Sequence, residues 1–383
     1  LNASPSIAGT ETTFKPHAFV EIATDDTVTV WLGQTNLGQG THTGISMIIA
    51  DELDADWKTV QAKMALAAEP FKNPHANAQF TGGSTSIRSR WDLLRKSGAA
   101  ARQMLISAAA AEWDVDAQNC RAEKGKVFHP DGRSFTYGQL VPKAKKLPVP
   151  EDPPLKDPKD YRIIGTARDR LDIPDKVEGR TIYGLDVAVP NMCIAVVARP
   201  PRFGAVPESY DTAAAMAVKG VVKVVPIDNK IAVCGDTTYA ALQGRQKLNI
   251  KWTSGSHPEL DDEALDKQFQ EDLQKQGAVA DSTGDAKKAL AAAAVTVEGS
   301  YKVSFISHAQ LEPSNCTVQL DSDKCLLIGS YQVPHGAAAM ASALTGLPVE
   351  SIEVRAMRCG GAFGRRLTND FAAEAVLIAQ AVD

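Results

Sequence analysis

The chain has 383 residues, of which 44% are hydrophobic and 23% charged, and its formal net charge is −5. That length suggests two or three domains with sizeable cores, and the mildly acidic balance offers no general basic field for nucleic acid or an anionic membrane. Six widely spaced cysteines without a CxxC exclude a dense disulfide framework and argue against a zinc ribbon or iron–sulfur cluster bound by this chain alone, and no apolar run approaches the roughly 20 residues of a membrane helix.

The chain opens Leu1-Asn2-Ala3-Ser4-Pro5 with no initiator methionine, which fits a processed or truncated N-terminus, such as a removed export signal. Residues 1–146 form a first segment. Alternation over Thr27–Leu32 predicts a strand, and Ile45, Ile48, Ile49 and Leu53 share one face of a helix that follows a glycine-rich turn. A second glycine turn at Gly82-Gly83 leads into an alanine-rich helix over Trp91–Trp113. Residues 147–160 carry five prolines and read as a linker, because proline locks φ and lacks a backbone donor.

Residues 161–255 read as a small α+β unit. Its strands are expected at Ile182–Val187, Cys193–Arg199, Gly220–Pro226 and Lys230–Gly235, and its helices at Asp211–Val218 and Tyr239–Lys247. Residues 256–383 begin with polar helices over Asp261–Gln276 and Gly284–Ala293. Strands follow at Ala294–Ser304, Cys316–Leu320, Cys325–Ser330 and Ser351–Ala356, with helices at Ala337–Leu344 and Phe371–Val382. The fold class is α+β.

One arrangement recurs three times: strand, glycine turn, hydroxyl or amide residue, helix. The copies are Gly33–Gly44, with Gly38-Gln39-Gly40-Thr41; Thr81-Gly82-Gly83-Ser84-Thr85-Ser86; and Gly360-Gly361-Ala362-Phe363-Gly364-Arg365-Arg366. Helix N-termini leave N–H groups unpaired at the positive end of the dipole, and glycine lets backbone approach a ligand closely. Such bends suit phosphates and polar ring edges. Each has a plainer reading. Gly38 and Gly40 mark a tight turn with Thr41 as N-cap, and Ser84, Thr85 and Ser86 cap the Trp91 helix. Arg365 and Arg366 are solvated charges or an interface patch, Gln332 is a polar residue at a strand end, and His42 and His308 are structural. Three copies in one chain favour a large anionic cofactor held at several points. Nucleotide and hydrolase motifs fit poorly: Gly38–Gly44 misses GxGxxG by one residue, and no GxxxxGK[ST], GxSxG or HExxH occurs.

Taken together, these loops resemble the molybdopterin-binding loops of the xanthine oxidase (molybdenum hydroxylase) family, nearest to the large subunit of the isoquinoline 1-oxidoreductase and membrane-linked aldehyde dehydrogenase type. The marks are the Gly33–Gly40 loop, the Thr81–Ser86 loop, Arg170-Leu171-Asp172 with Asp175–Gly179, His308-Ala309-Gln310-Leu311-Glu312-Pro313, Tyr331-Gln332 and Gly360–Gly364. The resemblance implies molybdopterin-binding halves flanking an a/b hammerhead-like domain at 161–255. It implies that Gln39, Gly40, Thr81, Ser84, Ser86, Gly361, Phe363 and Gly364 hold the cofactor, that Gln332 and Phe363 border the molybdenum, and that no side chain ligates the metal. The cofactor would be molybdopterin, in its cytosine dinucleotide form, with iron–sulfur clusters on a partner subunit. The implied reaction is hydroxylation of an aldehyde or N-heteroaromatic carbon, with water supplying the oxygen. Leu367 stands where purine hydroxylases carry a substrate-binding glutamate, and Asn36 replaces a common acidic residue, so purine is not the expected substrate. A chain supplying the remaining pterin domain and its catalytic glutamate is an expected partner, with a cytochrome as a further candidate and no nucleic acid. A periplasmic location, at the membrane through a partner, is expected. The competing class is a non-catalytic cofactor-binding or assembly module that kept this fold.

Overall fold

The computed structural model describes residues 12–382; the Leu1–Pro5 opening and Asp383 lie outside them. Contacts divide the chain into two units, residues 1–191 with 308–383, and residues 192–307.

The first unit begins with a meander of β1 (Thr13–His17), β2 (Val20–Ala23) and β3 (Val28–Leu32), each antiparallel to the next. The chain then crosses through α1 (Thr41–Leu53) to β4 (Val60–Met64), which pairs parallel to β3. A parallel pair requires such a crossover. The period-3.6 face read from the sequence is buried: Ile45, Ile49 and Leu53 pack with Val30 and Leu32 in the main core. After the short α2 (Thr85–Arg88) comes α3 (Trp91–Trp113), whose bounds match the alanine-rich stretch. Its small residues let it lie close to α1. A Cβ at Gly98 would stand 2.5 Å from the Ile49 carbonyl oxygen, so only glycine fits that crossing.

A small sheet of β5 (Arg121–Glu123), β6 (Lys126–Phe128) and β7 (Ser134–Thr136) leads to α4 (Tyr137–Ala144). That helix starts on a capping box between Thr136 and Gln139. The proline-rich stretch lacks α-helix and strand but is tied down. Lys156 donates to Asp51 and Asp54, and Arg95 and Arg102 donate to the carbonyls of Lys156 and Pro154. The chain runs on to α5 (Ile173–Val177). The strand expected at Ile182–Val187 is a 3-10 turn at Gly184–Asp186, with a single bridge from Tyr183 to Arg358.

In the second unit, β8 (Ile194–Ala198), β10 (Val221–Ile227) and β11 (Lys230–Gly235) form an antiparallel sheet in the order β10-β11-β8. The helices α6 (Thr212–Met216) and α7 (Thr238–Lys247) pack on it, burying Ala215, Val233 and Leu248. The strands β9 (Pro207–Ser209) and β12 (Lys251–Trp252) pair separately. The polar helices α8 (Asp262–Leu273) and α9 (Ala286–Ala292) follow. The strand expected at Ala294–Ser304 does not form: no ladder involves these residues, and Val295, Val297, Tyr301 and Val303 are 79–96% exposed. Alternation makes a strand competent, but an isolated strand leaves its N–H and C=O groups without partners, so the pattern needs a neighbouring strand to be realised.

The chain re-enters the first unit with β13 (Cys316–Leu320), β14 (Cys325–Gly329) and β15 (Ile352–Ala356). The pair β13–β14 is antiparallel and β14–β15 is parallel, with α10 (Pro334–Thr345) as the crossover. The last helix, α11 (Asp370–Val382), buries Phe371 and Val376 in the same core as Leu327, Ala341 and Val354. All six cysteines are free. No helix among the described residues is long and apolar enough to cross a membrane.

Candidate functional site

The three glycine bends belong to the first unit, and hydrogen bonds join them. The Gly33–Gly44 loop meets the Thr81 loop where the Thr35 amide donates to Thr81 Oγ1 at 2.9 Å. Thr35 Oγ1 donates to the Tyr331 carbonyl at 2.6 Å. Thr81 and Gln332 are bonded twice more. The Thr81 amide donates to the Gln332 carbonyl at 2.8 Å, and Gln332 Nε2 donates to the Thr81 carbonyl at 2.8 Å. The Gly360 bend closes the ring, with the Cys359 amide donating to the Asn36 carbonyl and the Gln332 amide to the Arg366 carbonyl, both at 3.1 Å. Residues separated by as many as 296 positions thus share one junction.

The first bend has an open mouth. Gly40 is the N-cap of α1 at φ 83, gives no side-chain cap, and is followed by no acidic residue in the first turn. A Cβ at Gly38 or Gly40 would meet nothing within 4 Å, so this stretch of backbone faces open space. The amides at the start of α1 therefore form an uncapped positive terminus. Three buried polar atoms at the loops have no hydrogen-bond partner: Thr41 Oγ1, His42 Nδ1 and Gln332 Oε1. Buried polar groups are almost always paired, so each of these atoms is a candidate partner for a bound polar group. Among the described residues no group of three or more His, Cys, Asp or Glu side chains could hold a metal ion.

Several expected residues behave differently from their first reading. Gln39 turns back on its own loop, donating to the Thr35 carbonyl and accepting from the Leu37 amide at 2.6 Å, so its amide braces the bend. Ser84, Thr85 and Ser86 do not cap the Trp91 helix. They open the separate turn α2, where Ser84 is left-handed at φ 55 without a side-chain cap bond, and α3 begins at Trp91 with Arg90 as an N-cap that gives no side-chain hydrogen bond. Thr85 Oγ1 is used locally, donating to the Gly82 carbonyl and accepting from Asn73 Nδ2. The structure joins Thr81 directly to Gln332, whereas the exposed Ser84 and half-buried Ser86 lie further along that bend. Phe363 sits at φ 52 and is 73% exposed, between Gly361 at φ 100 and Gly364 at φ 90. A bulky residue held left-handed stores strain, which persists only where surroundings enforce it.

Arg366 is neither a solvated charge nor part of an exposed interface patch: it is fully buried, paired with Glu312 at 3.1 Å. Arg365 does keep a surface role, in a two-pronged contact with Asp370. His42 is buried against Met64 Sδ at 3.3 Å. Burial, with the nearby Arg358 charge, pulls its imidazole down to about 4, so it is neutral at pH 7. His308 is exposed.

Sequence reasoning gave no role to the latch behind the first bend. Asn36 accepts from the Gly38 amide and donates to Asp172 Oδ2 at 2.9 Å. Asp172 is buried and also receives Arg170 and Lys176. Burial alone would raise its carboxyl, but hydrogen bonds from Arg170 and Lys176 prevail and hold it well below the usual carboxylate range. Arg170 also donates to the Gly38 carbonyl, and the Leu171 amide to Thr43 Oγ1. The signal was present in the Arg-Leu-Asp triplet, but nothing in the sequence placed it against residues 36–43.

A family profile described as a molybdopterin cofactor-binding domain matches residues 2–189, and a second with the same description matches residues 269–383. The chain belongs to the xanthine oxidase family of molybdopterin-binding proteins. Three curated relatives of this family member align along nearly its whole length. The beta subunit of isoquinoline 1-oxidoreductase from Brevundimonas diminuta is 30% identical over 99% of the chain and 54% of the relative. The membrane-bound aldehyde dehydrogenase (pyrroloquinoline-quinone) of Gluconacetobacter polyoxogenes is 28% identical over 96% and 49%. A nicotinate dehydrogenase subunit from Pseudomonas putida is 29% identical over 95% and 31%. The chain thus spans about half the length of the first two relatives and about a third of the last. Solved structures that resemble it include a Cu,Mo-CO dehydrogenase (TM-score 0.45, 20% identity, 57% of this chain and 34% of that one). Another is quinoline 2-oxidoreductase from Pseudomonas putida 86 (TM-score 0.44, 19% identity, 57% and 33%).

Proposed function

We propose that this chain forms the molybdopterin cradle of a molybdenum-dependent oxidoreductase that hydroxylates an aldehyde or an N-heteroaromatic carbon, taking the oxygen from water. The observation that carries the reading is the meeting of three glycine bends at Thr81 and Gln332, with unpaired buried polar atoms left at the loops. When bound, the molybdenum–pterin group supplies the two-electron redox chemistry. This chain's residues supply the holding. The uncapped start of α1, at Gly40, offers main-chain amides to an anionic group, with Gln39 keeping the bend in shape. Thr81, Ser84 and Ser86 would take the phosphates, and Gly361, Phe363 and Gly364 would line the metal side. Gln332 Oε1, buried and unpaired, would accept a hydrogen bond from the bound group or its water, while the exposed Phe363 ring would border the substrate. No side chain of this chain would ligate molybdenum.

The cofactor proposed is the cytosine dinucleotide form. The proposed partners are an iron–sulfur subunit that receives the electrons, a chain supplying the remaining pterin domain with its catalytic glutamate, and a cytochrome. Two of the relatives are named as single subunits of larger enzymes, which supports a multi-subunit assembly, and one relative is named as membrane-bound, which supports a place at a membrane. The location proposed is the periplasm, with a partner as the membrane attachment. Metal analysis of the complex purified from its native host tests the reading: about one molybdenum per chain is expected. Incubation with an aldehyde in 18O-water should then give labelled carboxylic acid. A complex without molybdenum points to a non-catalytic module and overturns the proposal.

A further inference from the structure

Resting on the function just proposed, we infer that Glu312 and Arg366 are a positioning pair that sets the direction of the main-chain amides in the Gly360 bend. Both are buried, at 7% and 0% exposure. Arg366 spreads its guanidinium over the whole junction. Nε donates to the Gly361 carbonyl at 3.1 Å, Nη1 to the Ser330 carbonyl at 3.4 Å, and Nη2 to the Glu312 carbonyl at 2.7 Å and its Oε2 at 3.1 Å. Glu312 Oε2 also accepts from the Gly360 amide at 2.7 Å and Ser330 Oγ at 3.5 Å. Its Oε1 accepts from Asn315 Nδ2 at 2.9 Å and the Leu185 amide at 3.3 Å. The Glu312 amide donates to the Gly360 carbonyl at 3.1 Å.

These bonds fix two consecutive peptide planes. In a trans peptide the C=O and the following N–H point in opposite directions. With the Gly360 carbonyl held by Glu312 and the Gly361 carbonyl held by Arg366, the N–H groups of Gly361 and Ala362 are turned away from the pair. The left-handed φ of 100 at Gly361 is the backbone form this requires. A Cβ at residue 360 would stand 2.5 Å from Glu312 Cβ, so the bend is pressed against the pair. A buried ion pair is a poor source of stability, because the loss of hydration cancels most of the attraction, and apolar replacements of similar volume are often neutral or better. The arrangement therefore calls for another role. Aiming donors at a fixed point is one that a planar fork performs and a point charge does not.

The test uses the complex purified as it occurs. Arg366→Lys keeps a cation for Glu312 but cannot span Gly361, Ser330 and Glu312 together. Glu312→Gln combined with Arg366→Met removes both charges while keeping volume, and so preserves folding if the pair were only a packing unit. For each we measure melting temperature, molybdenum per folded chain after extended gel filtration, and hydrogen exchange of the 359–364 peptide. Expected are near-wild-type melting, a several-fold loss of molybdenum, and exchange of that peptide about tenfold faster, the effect of about one lost hydrogen bond. If both variants keep wild-type molybdenum and exchange, or if melting falls while molybdenum per folded chain does not, the inference is overturned. A wild-type complex that lacks molybdenum overturns the functional reading instead, and loop exchange in the metal-free protein still decides the role of the pair.

Discussion

Acidification should destabilise the first unit through one residue, His42. Its ring is 2% exposed, sits against Met64, and has Nδ1 unpaired. Burial lowers its folded-state pKa from 6.5 to about 4. The unfolded chain takes up a proton near 6.5 and the folded chain only near 4, so below 6.5 the unfolded state binds more protons. Stability is full above 6.5, drains as pH falls through the window between the two values, and levels off below 4. The whole window is worth about 3 kcal/mol, of which about 2 kcal/mol is lost by pH 5. The clean experiment pairs the wild type with His42→Leu, similar in size but unable to titrate. Urea unfolding at pH 7 and pH 5 gives four free energies, and the other titrating groups, His17 and His335 among them, cancel in the double difference. The wild type should lose about 2 kcal/mol more than the variant between those pH values. Equal losses would show that His42 is protonated in the folded state without penalty, and would refute the burial argument.

Two further outcomes follow from the packing around the first bend. Asp172→Asn leaves Arg170 and Lys176 without their carboxylate and should cost about 3 kcal/mol, with hydrogen exchange of the residue 36–43 peptide rising more than that of α3. Unchanged exchange there would mean the latch does not hold the loop. Gly98→Ala forces a methyl group onto the Ile49 carbonyl and should lower stability by about 1–3 kcal/mol in thermal melts, despite alanine's better helix propensity.

What the sequence showed best was local. The helices α1 and α3 and the strands β11, β13 and β15 follow from periodicity and from small-residue faces, because each pattern reports its own burial. The Ala294–Ser304 stretch shows where that logic stops, since a strand's existence depends on a partner that alternation cannot name. The same limit governed the site. Glycine turns were visible as bends, but whether Thr81 meets Gln332 is a matter of tertiary fold. The burial of Arg366 is not legible in the sequence for a related reason. An arginine followed by Leu367-Thr368 carries no mark of burial, because its burial depends on Glu312, 54 residues earlier. The Asn36–Asp172 latch spans 136 residues and left only its triplet as a trace. The molybdopterin reading was nevertheless reachable, because several weak motifs in one chain order carry information that none holds singly.

The junction also dictates a timetable. Thr35 is synthesised early, yet its hydroxyl waits for the carbonyl of Tyr331, 296 residues later. Closing so long a loop costs entropy that local contacts cannot repay until β14 and the Gly360 bend are in place. A ribosome-bound chain that has passed only α4 therefore carries half a receptacle. On the proposed reading, the group held by these bends would arrive after translation of this region, to a folded acceptor.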